Sequence, residues 1–192
     1  MASKHHSAQG AAAGAALAPN ASVESVLGQA KAPEKFCAAL AKLFGVRVTE
    51  VAMLRHEKGL LKFVFPAQLK TAGAIPVSSS SAVASHTAST KKIELFNTFA
   101  KVKHARVFES VKLTTNDESD QSDQSTIQKL MSAPVLGPSN QVLGVIQVCR
   151  KGFDLGSAGP DFTLEDLQQL EVAAMVAAKH EFMQVNNSPT PP

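Results

Sequence analysis

Four consecutive serines, Ser78-Ser79-Ser80-Ser81, precede Ala82-Val83-Ala84. Hydroxyls gathered where a helix begins, beside the free amides of its first turn, suit an anionic or polar ligand. The simpler reading is N-capping by Ser80 or Ser81. A second cluster, Lys101-Val102-Lys103-His104-Ala105-Arg106-Val107-Phe108-Glu109, sets basic residues among Val102, Ala105 and Phe108, which share one face at helical spacing. If that face packs, Lys103, His104 and Arg106 can clamp a carboxylate or phosphate, with Arg106 as the bidentate partner. The alternative is a solvated charged face. His104 has no second ligand at metal spacing, so no metal is expected. His56, His86 and His180 are scattered, and no GxSxG, HExxH or Walker-type loop occurs. The chain is therefore expected not to be an enzyme and to need no cofactor.

Composition narrows the partners. The net charge of +3 is too small to demand a polyanion, and the absence of Trp and Tyr removes two preferred stacking residues for single-stranded nucleic acid. No segment has the length of a transmembrane helix, so neither nucleic acid nor membrane is an expected partner, and a cytoplasmic location is expected. Cys37 and Cys149 lie inside apolar segments and read as buried free thiols rather than a disulfide or zinc framework.

At 192 residues with 44% apolar content, one domain with a sizeable core is the natural reading. Residues 1–22, Ala-rich after a basic start, and the Pro-rich residues 184–192 read as disordered tails around a domain spanning 23–183. Within it, Val23 to Ala30 is a short helix. Pro33 opens another, whose stripe of Phe36, Leu40, Leu43 and Phe44 is closed by Gly45. Val46 to Arg55 and Leu60 to Pro66 are β-rich runs separated by His56-Glu57-Lys58-Gly59, a hairpin signal. Ser80 to Ser89 reads as a short helix, Lys91 to Phe96 as a short strand, and Val102 to Val111 as a helical turn or two. The acidic, low-complexity stretch 114–126 reads as a mobile loop.

The clearest supersecondary unit is at the far end. Ala133 to Leu136, the turn Gly137-Pro138-Ser139-Asn140 and Val142 to Cys149 form an antiparallel hairpin. After a Gly/Pro loop, Thr163 and Asp166 stand at the two positions of a capping box, and Phe162 and Leu167 at those of a hydrophobic staple. Leu170 to Ala178 is apolar nearly all round, so two faces of this helix need cover, from the N-terminal helix or from a second subunit.

The run APVLGPSNQVLGVIQVCRKG followed by FTLEDLQQLEVAAMVAAK resembles the C-terminal half of a GAF domain, a small-molecule sensor fold of signalling proteins. In cyclic-nucleotide-binding members the strand ends in Asn-Lys and a Phe and acidic residues follow. Lys151, Phe162 and Asp166 fit that motif, while Arg150 replaces its Asn and Leu167 its last acidic residue, so the resemblance supports the fold more than a cyclic nucleotide. It implies an α/β (α+β) domain with a central antiparallel sheet of about six strands and helices on both faces. It further implies a regulatory or sensory module that binds a small, anionic molecule between the sheet and the Ser80–Val111 crossover, bordered by Ser78, Ser79, Ser80, Ser81, Lys103, His104 and Arg106. Such a module would signal in trans or as a homodimer whose geometry changes. The rivals are an interaction scaffold without ligand and a small enzyme on the same fold. GAF-like methionine-sulfoxide reductases and bilin-binding relatives use loop cysteines absent here.

Overall fold

The computed structural model describes residues 19–71, 73–99 and 125–184, with side chains from residue 23 onward. Two helices open the described chain, α1 (Pro19–Gly28) and α2 (Pro33–Phe44). α1 thus begins ahead of the expected Val23. α2 begins with Pro33 in its first turn, where a missing N–H costs nothing. It ends at Gly45 in the left-handed region (φ 58°), where the Val46 amide reaches Ala41 O at 2.9 Å. A side chain at that φ would be strained, which is why the stripe stops there.

Six strands form one fully antiparallel sheet: β1 (Val51–Glu57), β2 (Leu60–Phe65), β3 (Ala74–Pro76), β4 (Glu94–Phe96), β5 (Thr126–Leu136) and β6 (Val142–Gly152), in the order β3-β2-β1-β6-β5-β4. Between β3 and β4 lies α3 (Val83–Thr90), and α4 (Leu164–Ala177) follows β6. Two sequence expectations shift. The first β-rich run begins at Val51, because Val48–Glu50 is a 3-10 turn held by Glu50. β5 starts at Thr126, inside the stretch read as loop and well before Ala133. Gln128 and Lys129 make that segment look polar, yet both are buried, with Gln128 Nε2 donating to Gly152 O and Lys129 Nζ to Gly159 O at 2.6 Å. The helical reading of Val102 to Val111 and most of the 114–126 loop lie outside the described residues.

Alternation along the central strands divides the core. Val51, Met53, Met131, Ala133, Ile146 and Val148 face α2 and α4, whereas Ala52, Leu54 and Val145 face α3. α4 packs on β5 and on α1, so the same chain supplies the second cover its apolar sequence requires. Its outer strip stays open, with Leu164 and Met175 exposed. The start of α4 is as the sequence implies: Thr163 Oγ1 accepts from Asp166 N at 3.0 Å and the Asp166 carboxylate from Thr163 N at 2.7 Å. Phe162 and Leu167 join the same apolar cluster.

The chain's last described turn locks the helical layer. His180 stacks on Phe182 (centroids 4.8 Å apart), both meet Phe36 edge-on, and His180 Nε2 lies 3.0 Å from Leu27 O of α1.

Candidate functional site

The α3 side of the sheet carries a buried polar seam inside an otherwise apolar layer. Period-two alternation turns Ser132 of β5 and Gln147 of β6 to this side, directly paired across the ladder. α3 lays Thr87 on top of them, and β4 brings Glu94 opposite Ser132. Thr87, Ser132 and Gln147 are all buried.

The distances define a chain: Gln147 Nε2 donates to Ser132 Oγ (3.2 Å), the Ser132 and Thr87 hydroxyls meet at 2.7 Å, and Thr87 Oγ1 donates to Glu94 Oε2 (2.6 Å). Each hydroxyl has one proton, so the order follows from counting donors. Thr87 spends its proton on the carboxylate, Ser132 must then donate to Thr87, and Gln147 completes Ser132. Every link points toward Glu94, an alignment in which neighbouring bonds reinforce one another. Outside, His86 Nδ1 lies 2.8 Å from the other Glu94 oxygen. The seam therefore runs from the middle of the sheet to an exposed imidazole. Left unpaired, each buried hydroxyl or amide would cost about 1–3 kcal/mol.

The four serines sit at the edge of this face. Ser78, Ser80 and Ser81 are exposed and Ser79 is half-exposed. Ser79 Oγ is 2.9 Å from Ser81 Oγ and accepts from Ser81 N at 3.3 Å. Capping by Ser80 or Ser81 is corrected: the N-cap of α3 is Ala82, with no side-chain bond, and the Ser81 hydroxyl meets that of Ser79 instead. Ser85, inside the helix, ties it to Pro76 O at 2.8 Å. Lys103, His104 and Arg106 lie outside the described residues. Thr87, Glu94, Ser132 and Gln147 were not singled out from the sequence. The available signal was one polar residue in each of two buried runs, KLMSAPVL and VIQVC.

Neither thiol belongs to the seam. Burial pushes Cys149 up to about 12, and burial, with the nearby Glu34 charge, raises Cys37 further. They sit in different apolar clusters. Among the described residues no group of three His, Cys, Asp or Glu side chains could hold a metal.

The motif positions at the end of β6 are deployed differently from one another. Arg150 donates to Phe44 O (2.9 Å) and Gly45 O (3.2 Å) at the end of α2 and lies over the Phe162 ring at 4.7 Å. Asp166 is committed to the helix cap, and Lys151 forms no ion pair among the described residues.

A six-stranded antiparallel sheet in this order, with α3 on one face and the other helices opposite, is a GAF-like fold. No protein-family model and no curated protein matches the chain. Solved structures do. The GAF domain from Acinetobacter phosphoenolpyruvate-protein phosphotransferase is 9% identical, with TM-score 0.57, over 83% of this chain and 87% of that one. The nlh2 GAF domain of A. aeolicus in an inactive state is 12% identical, with TM-score 0.52, over 83% and 90%. The expectation that the chain is not an enzyme is corrected. The solved structures that match include a type II free methionine-R-sulfoxide reductase from Thermoplasma acidophilum (15% identity, TM-score 0.48, 81% of this chain and 92% of that one). No helix among the described residues is long and apolar enough to cross a membrane.

Proposed function

We propose that this chain is a regulatory module that senses a small polar molecule held against the α3 face of the sheet. The observation that carries the reading is the Gln147–Ser132–Thr87–Glu94 seam. Four elements converge their polar groups on one line in a layer that needs only apolar contacts to be stable. Ligand pockets have this composition, mostly apolar with a few placed donors and acceptors. Lys103, His104 and Arg106 follow shortly after Phe99, which is buried beside Leu130 and Cys149 on this same face, so the chain length allows them to reach it. In this reading they meet a carboxylate or phosphate, and the Ser78–Ser81 turn borders the same site.

A second reading, a contact scaffold without ligand, is favoured by α3 itself. Ala84 and Ala88 pack in one cluster with Ala52, Leu54 and Val145, closing part of the face. One experiment separates the two. A thermal-shift screen of anionic metabolites is run on the wild type, Gln147→Leu and Arg106→Ala. The sensor reading expects at least one compound to stabilise the wild type and to lose about tenfold in affinity in each variant, about 1.4 kcal/mol. Failure of every compound to stabilise the wild type leaves the scaffold.

A further inference from the structure

A second, chemically different site lies where the sheet ends. The C-terminal end of β6, the 3-10 turn before β1, the residues just after α2 and the loop before α4 border an open cleft of about 710 Å³. That size lies within the range of small-molecule pockets. Its residues include three cations, Arg47, Arg150 and Lys151, and one carboxylate, Glu50.

The carboxylate is spent internally. Burial opposes its ionisation, but Glu50 Oε2 accepts from Arg47 N (2.8 Å) while Oε1 accepts from Arg47 Nη2 (3.1 Å) and Lys151 N (2.7 Å). Together these hold its pKa below the usual carboxylate value. Glu50 thus balances Arg47 and the local amides. Among the described residues Arg150 donates to neutral carbonyls at the end of α2 and lies over the Phe162 ring, and its buried Nε has no hydrogen-bond partner. Its charge is held in place and is paired with no carboxylate among the described residues. Lys151, half-buried next to it, has no ion-pair partner among the described residues. At the mouth stands Phe153, 65% exposed, the ring of a residue type that a solvated loop has no need of. The wall behind it is pinned, since Lys129 holds Gly159 O and Asp161 while Asn97 holds both backbone groups of Phe162.

We infer that this cleft binds a small aromatic anion, its phosphate or carboxylate against the Lys151 ammonium and its ring against Phe153. Lys151 makes the direct contact, and Arg150 behind it supplies a fixed positive field that a ligand anion completes. This site stands apart from the seam beneath α3 and does not depend on it.

The test is a calorimetric titration of phenyl phosphate into the full chain, with backbone amide shifts recorded in parallel. Saturable binding is expected, with shifts centred on Lys151 and Gly152. Affinity should fall about tenfold in Lys151→Gln and in Phe153→Ala, survive in Lys151→Arg, and weaken between about 50 mM and about 500 mM salt. Inorganic phosphate should bind more weakly than phenyl phosphate, and Lys92→Gln, an exposed lysine elsewhere, should bind as the wild type does. Absence of saturable binding overturns the inference, as does equal affinity in Lys151→Gln. Shifts centred on Ser132 and Gln147 would also overturn it by moving the anion to the seam, and equal binding of inorganic phosphate would remove the ring from the recognition.

Discussion

Replacing Gly144 by alanine tests how closely β1 and β6 are fitted to the chain's C-terminal turn. Gly144 is paired with Arg55 in the β1–β6 ladder, next to the Leu54–Val145 pair. A Cβ at Gly144 would overlap the Leu54 carbonyl oxygen and the Met183 methyl, and would stand 3.1 Å from the Leu54 carbonyl carbon. The methyl sits at the end of a flexible side chain and can swing away. The Leu54 carbonyl cannot, because it belongs to a central strand with neighbours on both sides. The strands must therefore separate locally, and overpacking of this kind costs about 1–3 kcal/mol. The rigid backbone partner puts Gly144→Ala in the upper half of that range, about 2–3 kcal/mol, and Gly144→Val above it. For a domain of this size, about 2–4 °C per kcal/mol gives a melting temperature lower by about 4–12 °C. Urea denaturation followed by circular dichroism gives the free energy directly, with Gly28→Ala as control, since nothing lies within 4 Å of a Cβ there. Met183→Ala in the Gly144→Ala background should restore little. A Gly144→Ala loss below about 0.5 kcal/mol, or full rescue by Met183→Ala, would refute the account in which the Leu54 backbone is the obstacle.

Two further outcomes concern stability. Thr163→Ala removes the side-chain acceptor of Asp166 N and should cost about 1 kcal/mol in denaturation midpoint experiments, with Thr163→Ser largely neutral. Glu50 is held below its ordinary pKa in the folded state, so its ionised form stabilises the fold above the unfolded carboxyl value near 4.5. That contribution is lost as pH falls through the lower folded value. The stability gap between wild type and Glu50→Gln should therefore be widest near neutral pH and should close as the solution is made acid, as read from urea midpoints across pH.

What the sequence revealed were features whose causes are local. Pro33 and Gly45 bracket α2 because each acts on its own backbone, and Thr163 and Asp166 find each other three residues apart. The hairpin of β5 and β6 is visible where it is apolar and hidden where it is not: Gln128 and Lys129 are satisfied by Gly152 and Gly159, whose positions only the fold supplies. The candidate site was obscured for the same reason. The Ser78–Ser81 run is conspicuous in composition but closes on itself at the surface. Ser132 and Gln147 are single polar residues in apolar runs, made into a seam by strand register and by a helix more than forty residues away in sequence. Arg150 is similar: a charged residue at a strand end, whose partners are the last carbonyls of a helix 106 residues earlier.

Asn97 closes a mechanical circuit. It immediately follows β4, the strand that carries Glu94 on the α3 side, and its side-chain amide grips both the N–H and the C=O of Phe162, each at 2.9 Å. Phe162 immediately precedes the cap of α4, on the opposite face of the sheet. A sideways displacement of β4 would therefore load contacts outside its own layer. It pulls on two parallel hydrogen bonds and, through them, on the anchored end of a helix that the sheet otherwise screens from it. The two faces are thus joined around the edge of the sheet by a strut one side chain long, running from the end of β4 to the residue before the first turn of α4.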